Sequence, residues 1–187
     1  MFSAPEKNIE QIELKDNSTV VDFGAGSGAY TIASAKAMHG TGKVYAVEVQ
    51  KDLLTSLQST CTKEHLSNVA YIWGNCELPG GTKLSDNVAD VVIVSNILFQ
   101  AEDKKGIIAE ARRVLKQGGT LLVIDWTASF NGMGPEKDQI FSEMDAKKII
   151  TESTFTFDKT INAGNFHYGL LFRKGLYQQP KVNIARA

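Results

Sequence analysis

The chain has 187 residues, enough for one domain with a core that folds unaided. Hydrophobic residues make up 43% and charged residues 22%, ordinary for a soluble globular protein, and no stretch approaches the ~20 apolar residues that span a bilayer. A formal net charge of −1 leaves no global field to pull the chain onto nucleic acid or an anionic membrane. Cys61 and Cys76 form no Cys-x-x-Cys pair, and the first residues lack a basic region followed by an apolar run, so a reduced, cytoplasmic protein is expected.

In chain order, Pro5 opens a short helix over residues 5–14, with Ile9 and Ile12 on one side. Val20 to Phe23 has strand character and runs straight into Gly24, Gly26 and Gly28, after which a helix is expected to about Met38. A strand that turns through glycines into a helix gathers backbone N–H groups around one point and lets a ligand approach closely. The spacing is Gly-x-Gly-x-Gly, not the Gly-x-Gly-x-x-Gly of dinucleotide folds. Asp22, just before the first glycine, suits a cationic amino-acid end and would repel a pyrophosphate.

A second strand follows from Lys43 to Val49, and its tip carries Glu48, placed to accept the hydroxyls of a ribose. Lys51 to about Glu64 reads as a helix through Leu54, Leu57 and Cys61, and Val69 to Trp73 as a third strand. Ala89 to Val94 is a β-branched run of the kind buried on both faces of a parallel sheet. Asp103 to Lys116 is the clearest helix, with Ile107, Ile108, Ala111 and Leu115 on its apolar side, and Thr120 to Ile124 is a fifth strand ending at Asp125-Trp126. Residues 127–141 read as a loop and Ser142 to Thr151 as a further helix. Two strand-like runs, Thr154 to Ile161 and Phe166 to Arg173, flank a short turn, so the sheet is expected to finish antiparallel. Strand and helix thus alternate five times, which predicts an α/β, doubly wound, mostly parallel sheet with helices on both faces. The expected organisation is a single domain over residues 1–174 and a frayed tail over 175–187.

Several segments, taken in order, resemble the class I (Rossmann-like, seven-stranded) S-adenosylmethionine (SAM)-dependent methyltransferases, of the ubiquinone/menaquinone-biosynthesis type. They are Val20 to Gly28, Glu48, Gly74-Asn75-Cys76-Glu77, Ala89 to Asn96, and Leu115-Lys116-Gln117-Gly118-Gly119, with the closing hairpin. The resemblance covers roughly residues 10–174. It departs from the family pattern at Asn75, where Asp is frequent but Asn can still accept an adenine amino proton through its carbonyl, and at Gln117, where Pro is frequent. The N-terminal region is short, which leaves the site open or completed by a second subunit, as in a homodimer.

The resemblance implies SAM as cofactor, S-adenosylhomocysteine as product and no metal. It places Asp22 at the methionine amino group, and Gly24, Ala25, Gly26, Ser27 and Gly28 along the methionine and ribose portion. Glu48 would hold the ribose, Val49 the adenine face, Asn75 and Cys76 the adenine edge, and Ser95 and Asn96 the floor below the sulfonium. Asn96, Asp125 and His167 are the catalytic candidates, with Phe99, Gln100, Trp126 and Tyr168 toward the acceptor. Methyl transfer is an in-line displacement that positioning alone can accelerate greatly, so a base is needed only where the acceptor must lose a proton. His39, His65 and His167 show no metal-ligand spacing, and there is no Gly-x-Ser-x-Gly context. Lys104-Lys105, Arg112-Arg113 and Lys147-Lys148 read as solvated helix faces. A small-molecule acceptor is expected; a protein side chain or RNA as acceptor, or a non-catalytic SAM-binding partner subunit, are the alternatives, and a nicotinamide site is disfavoured by Asp22 and the terminal hairpin.

Overall fold

A computed structural model describes residues 4–130 and 132–175, so the expected tail lies outside the described residues except for Gly175. The elements run α1 (Pro5–Glu10), β1 (Thr19–Phe23), α2 (Ala29–Ala37), β2 (Lys43–Glu48), α3 (Lys51–Lys63), β3 (Val69–Trp73) and β4 (Ala89–Ser95). They continue with α4 (Lys104–Val114), β5 (Leu115–Trp126), a 3-10 turn at Lys137–Gln139, α5 (Glu143–Glu152), β6 (Phe155–Ile161) and β7 (His167–Lys174). All seven strands share one sheet in the order β3-β2-β1-β4-β5-β7-β6. The first five pair in parallel, whereas β7 runs antiparallel to both β5 and β6. The chain moves outward from β1 to β3, then returns to lay β4 against β1. That reversal opens a crevice at the carboxyl ends of β1 and β4, where ligands bind in sheets of this kind.

Both faces of the central strands are buried, which is why their apolar runs are continuous rather than alternating. Val21, Phe23, Val92, Val94, Leu121 and Val123 point toward Ile107, Ile108 and Ala111 of α4 and Ala146 and Ile150 of α5. Val20, Val91, Ile93, Leu122 and Ile124 face the layer formed by α1, α2 and α3. Helix α2 touches the sheet on one side and α1 on the other. Its Thr31, Ala33, Ser34 and Ala35 are all buried, so small side chains replace a one-sided apolar stripe.

Several boundaries differ from the sequence expectation. Helix α1 stops at Glu10, because Gln11 clips the β6–β7 turn: its Nε2 donates to the Asn162 carbonyl at 3.0 Å and its Oε1 accepts from the Asn162 amide at 2.9 Å. Helix α4 ends at Val114 rather than Lys116, since the backbone at Leu115 is already extended and joins the ladder opposite Ala89. The last helical carbonyls then accept from the Asn87 and Val88 amides that lead into β4. Arg112 and Arg113 are not a solvated face. Arg112 Nε donates to the Ser153 carbonyl and Thr154 Oγ1, and Arg113 bridges Glu110, Asp86, Thr82 and the Leu84 carbonyl. Lys174, at the end of β7, is buried and donates to Asn87 Oδ1 at 2.8 Å and the Leu115 carbonyl at 2.6 Å, pinning the α4–β5 junction.

Candidate functional site

The three glycines after β1 all have positive φ, but they serve different purposes. A Cβ on Gly24 would meet Ile97 Cγ2 at 2.6 Å, and one on Gly28 would meet Leu57 Cδ1 at 2.0 Å. These two let the loop pack against β4's exit and α3. A Cβ on Gly26 would meet nothing nearer than the Gly24 carbonyl at 3.8 Å. The room above Gly26 is instead part of a 720 Å³ cavity lined by Asp22, Gly24, Ala25, Gly26, Ser27 and Glu48, and farther along by Val49, Asn75, Cys76, Ser95 and Asn96. Gly28 is the one member of the predicted loop set that does not stand on this wall.

Two carboxylates organise the near side of the cavity. Asp22 is 2% exposed, and its Oδ2 accepts from Thr31 Oγ1 at 2.6 Å. Burial raises its pKa to about 7 despite that bond, with the nearby Glu48 carboxylate adding to the rise. No cation among the described residues compensates it, so the wall carries a carboxyl group suited to an incoming ammonium. Glu48 is also buried. Its Oε2 accepts from the Gly26 amide at 2.9 Å, and its Oε1 from the Val49 and Gln50 amides at 2.8 and 3.0 Å. One side chain therefore ties the tip of β2 to the glycine loop.

The far side is built by the ends of β3 and β4. The indole Nε1 of Trp73 donates to the Val49 carbonyl at 2.9 Å, which holds the half-exposed Val49 beside Asn75 and Cys76. The Cys76 thiol is pushed up to about 12 by burial, so it acts as an apolar surface rather than a nucleophile. Ser95 Oγ and Asn96 Oδ1 are buried on the cavity wall without a hydrogen-bond partner among the described residues. Asn96 sits in the left-handed region at φ 56°, a conformation that Asn tolerates better than other side chains. Buried polar atoms are rarely left unpaired, so these two are available to a ligand.

The remaining candidates separate. Phe99 and Gln100 line a second cavity of 610 Å³ together with Lys104, Asp138, Gln139, Ile140 and Phe141, and Gln100 stands on the walls of both cavities. Asp125 lines neither. It is fully buried, accepting from the Phe99 amide at 3.2 Å and the Trp126 amide at 2.8 Å, and burial raises it to about 6. Its carboxylate pins the segment that carries Phe99 and Gln100 to the end of β5, so it positions that segment and does not reach the cavities. His167 and Trp126 are cross-strand partners with ring centroids 4.2 Å apart, and neither lines the two cavities. Burial lowers the His167 pKa, and both ring nitrogens lack partners among the described residues. Tyr168 packs in the core on the Asp125 side of the sheet, with its hydroxyl unpaired among the described residues.

Sequence reasoning did not single out Tyr30, Gln50, Glu77, Ile97 or Glu102, which also stand on the first cavity's wall. Tyr30 and Gln50 had a legible signal, as each stands two residues beyond the last glycine of the turn or the tip of β2. Tyr30 is held in place by Asn8 of α1, whose Nδ2 donates to its hydroxyl at 2.7 Å.

With this geometry in view, the chain can be set beside known proteins. The family described as "Methyltransferase domain" matches residues 14–170. The chain is 30% identical over 122 residues to a demethylmenaquinone methyltransferase of Lactiplantibacillus plantarum, covering 64% of this chain and 50% of that protein. It is 30% identical over 120 residues to the ubiquinone/menaquinone biosynthesis C-methyltransferase UbiE of Hydrogenovibrio crunogenus, covering 64% and 46%. The chain thus spans about half the length of the curated relatives it matches. A SAM-dependent methyltransferase from Aquifex aeolicus superposes with a TM-score of 0.83 at 25% identity, over 92% of this chain and 90% of that one. The [4+2]-cyclase SpnF shares the fold, with a TM-score of 0.79 at 14% identity over 92% and 80% of the two chains. The family match runs from before β1 to within β7 and takes in the glycine loop, Glu48 and the whole parallel sheet: the chain belongs to the methyltransferase-domain family.

Proposed function

We propose that the chain is a SAM-dependent methyltransferase that transfers the methyl group to a small molecule. The observation that carries this reading is the uncompensated, buried Asp22 carboxyl on the wall of a cavity left open above Gly26. Asp22 would receive the ammonium of the methionine end, and Glu48 would receive ribose hydroxyls on the lone pairs its backbone amides leave. Val49 and Cys76 supply apolar surface for a purine, and the unpaired Ser95 and Asn96 atoms lie along the floor. When bound, the sulfonium supplies an electrophilic methyl group. What the protein contributes is alignment of the acceptor atom with the carbon–sulfur bond and exclusion of water. The second cavity, which shares Gln100 with the first as a wall residue, is the place for the acceptor, with Phe99 and Phe141 as aromatic walls. Its 610 Å³ is the size of a small-molecule site. The curated relatives, named for menaquinone and ubiquinone biosynthesis, support an acceptor of that size.

The fold by itself does not fix the chemistry, since SpnF has the same sheet and is a cyclase. Calorimetric titration with SAM, S-adenosylhomocysteine and NAD therefore comes first. The first two are expected to bind in the micromolar range and NAD not at all. A radiolabelled-methyl screen over metabolite, protein and RNA pools follows, with label expected in the metabolite fraction. Binding of NAD without S-adenosylhomocysteine would refute the cofactor assignment. Label confined to protein or RNA would refute the small-molecule acceptor.

A further inference from the structure

One wall of the second cavity carries a full positive charge. Lys104 and Lys105 open α4 side by side, but only Lys105 is exposed; Lys104 is half-buried and stands on the cavity wall. Its Nζ donates to the Ala101 carbonyl at 2.8 Å and lies 5.4 Å from the centroid of the Phe141 ring, so the ammonium is held at this wall. Lys104 makes no ion pair with any carboxylate among the described residues. Asp125, whose pKa it lowers against the larger rise from burial, is taken by the Phe99 and Trp126 amides. Asp103, the N-cap of α4, directs Oδ1 to the Gly106 amide at 2.8 Å, and Asp138 on the cavity wall is solvent-exposed. The placement also runs against local preference, because a cation in the first turn of a helix opposes the macrodipole. Local rules of this kind are broken at functional or strained positions, and the backbone at Lys104 is ordinary helix.

Resting on the reading above, that the second cavity takes the methyl acceptor, we propose that this acceptor carries a compact anionic group, a carboxylate or a phosphate ester, and that Lys104 receives it. An ammonium has three donors, and the Ala101 carbonyl uses one, so two are left for the anion. Gln139 adds a neutral donor on the same wall: its Oε1 accepts from the Glu136 amide at 3.2 Å, and Nε2 is the half left over. The faces of Phe99 and Phe141 are there for the apolar body of the molecule. The Phe141 ring favours the nearby cation but cannot neutralise it, whereas an anionic acceptor does.

The charge is tested by passing the metabolite pool over an anion exchanger at pH 7 before reaction of the full chain with radiolabelled SAM. Acceptor activity is expected in the retained fraction. Alkaline phosphatase then separates the two sources: an acceptor that survives treatment is a carboxylate, and one that is lost is a phosphate ester. The residue is tested by Lys104→Met, which keeps the stem against Phe141 and removes the charge. The amount of retained fraction that half-saturates transfer is expected to rise about ten- to a hundredfold, with the saturating rate less affected, and Lys104→Arg is expected to recover most of the loss. Added salt should weaken acceptor saturation in wild type and not in Lys104→Met. S-adenosylhomocysteine affinity is expected to stay at the wild-type value, because Lys104 lines only the second cavity. Thermal unfolding checks the fold, and Lys104→Gln stands in should Lys104→Met fail to fold. Acceptor activity in the flow-through, a neutral variant that half-saturates at the wild-type amount, or a Lys104→Arg that behaves like Lys104→Met overturns this assignment alone. A chain that binds no S-adenosylhomocysteine overturns the cofactor reading and this assignment together. A chain that binds it but labels neither metabolite fraction overturns the small-molecule reading along with this assignment.

Discussion

Asp22 offers a quantitative test, because its burial makes proton binding and ligand binding compete. Taken from its ordinary 3.8 to about 7 by desolvation, the folded-state group holds its proton more tightly than the unfolded chain does. Its contribution to stability is therefore complete below pH about 4 and is lost as pH rises through about 7. The separation corresponds to about 4 kcal/mol, at 1.36 kcal/mol per pH unit. Asp22→Asn removes this titration and keeps an oxygen for Thr31 Oγ1. Urea unfolding at pH 5, 6, 7 and 8 is expected to show the variant gaining on wild type with pH, by about 3 kcal/mol between pH 5 and pH 8, the part of the separation that lies in this range. Asp125, raised in the same direction, is present in both proteins and drops out of the difference. A ligand ammonium beside Asp22 would favour the carboxylate, so S-adenosylhomocysteine binding at pH 7 should release about half a proton. Calorimetry in two buffers of different ionisation enthalpy measures that number. A variant that parallels wild type across the pH series, together with binding that releases no proton, would sink this account of Asp22.

Three further outcomes can be checked with the same preparations. Gly26→Val is expected to abolish S-adenosylhomocysteine binding in a folded protein; both it and Gly24→Val carry the strain of a positive φ, but Gly24→Val also collides with Ile97 and should lower the thermal midpoint further, and equal midpoint losses would contradict the division of roles. At Glu110 burial alone would raise the pKa, but Arg113, Thr82 and the Gly80 amide outweigh it and hold the carboxyl down to about 2. Its stabilisation is thus present above pH about 4.5 and lost as pH falls toward 2, and Glu110→Ala should cost about 1–3 kcal/mol in urea unfolding at pH 7, because Thr82 and the Gly80 amide lose their acceptor while Arg113 keeps Asp86. The Cys76 thiol, held up near 12, should resist iodoacetamide at pH 8 in the folded protein, and rapid alkylation of Cys76 under native conditions would show that its burial is misjudged.

Much of this architecture is legible in local pattern. The β-branched run of β4, the glycines after β1 and the acidic tip of β2 each state their environment within a few residues. What escapes is decided by partners distant in sequence. Leu115 and Lys116 continue a good helical pattern, yet Leu115 pairs with Ala89 and Lys116 with Asp90, and tertiary pairing outweighs propensity. Arg113 reads as one half of a solvated dibasic pair until the β3–β4 connection folds back and sets Thr82, Leu84 and Asp86 around it. Asp125 looks catalytic from its place at a strand end, but the amide of Phe99, 26 positions away, claims its carboxylate.

The grip of Glu48 on Gly26, Val49 and Gln50 means that this carboxylate has no rotamer left to freeze when a sugar arrives, a saving of about 0.5–1.5 kcal/mol over a free side chain. It also makes the two ends of the crevice communicate. The oxygen that a diol would meet also holds the Gly26 N–H beside the amino-acid end, so a nucleoside and an amino acid added as separate fragments should not bind independently of each other.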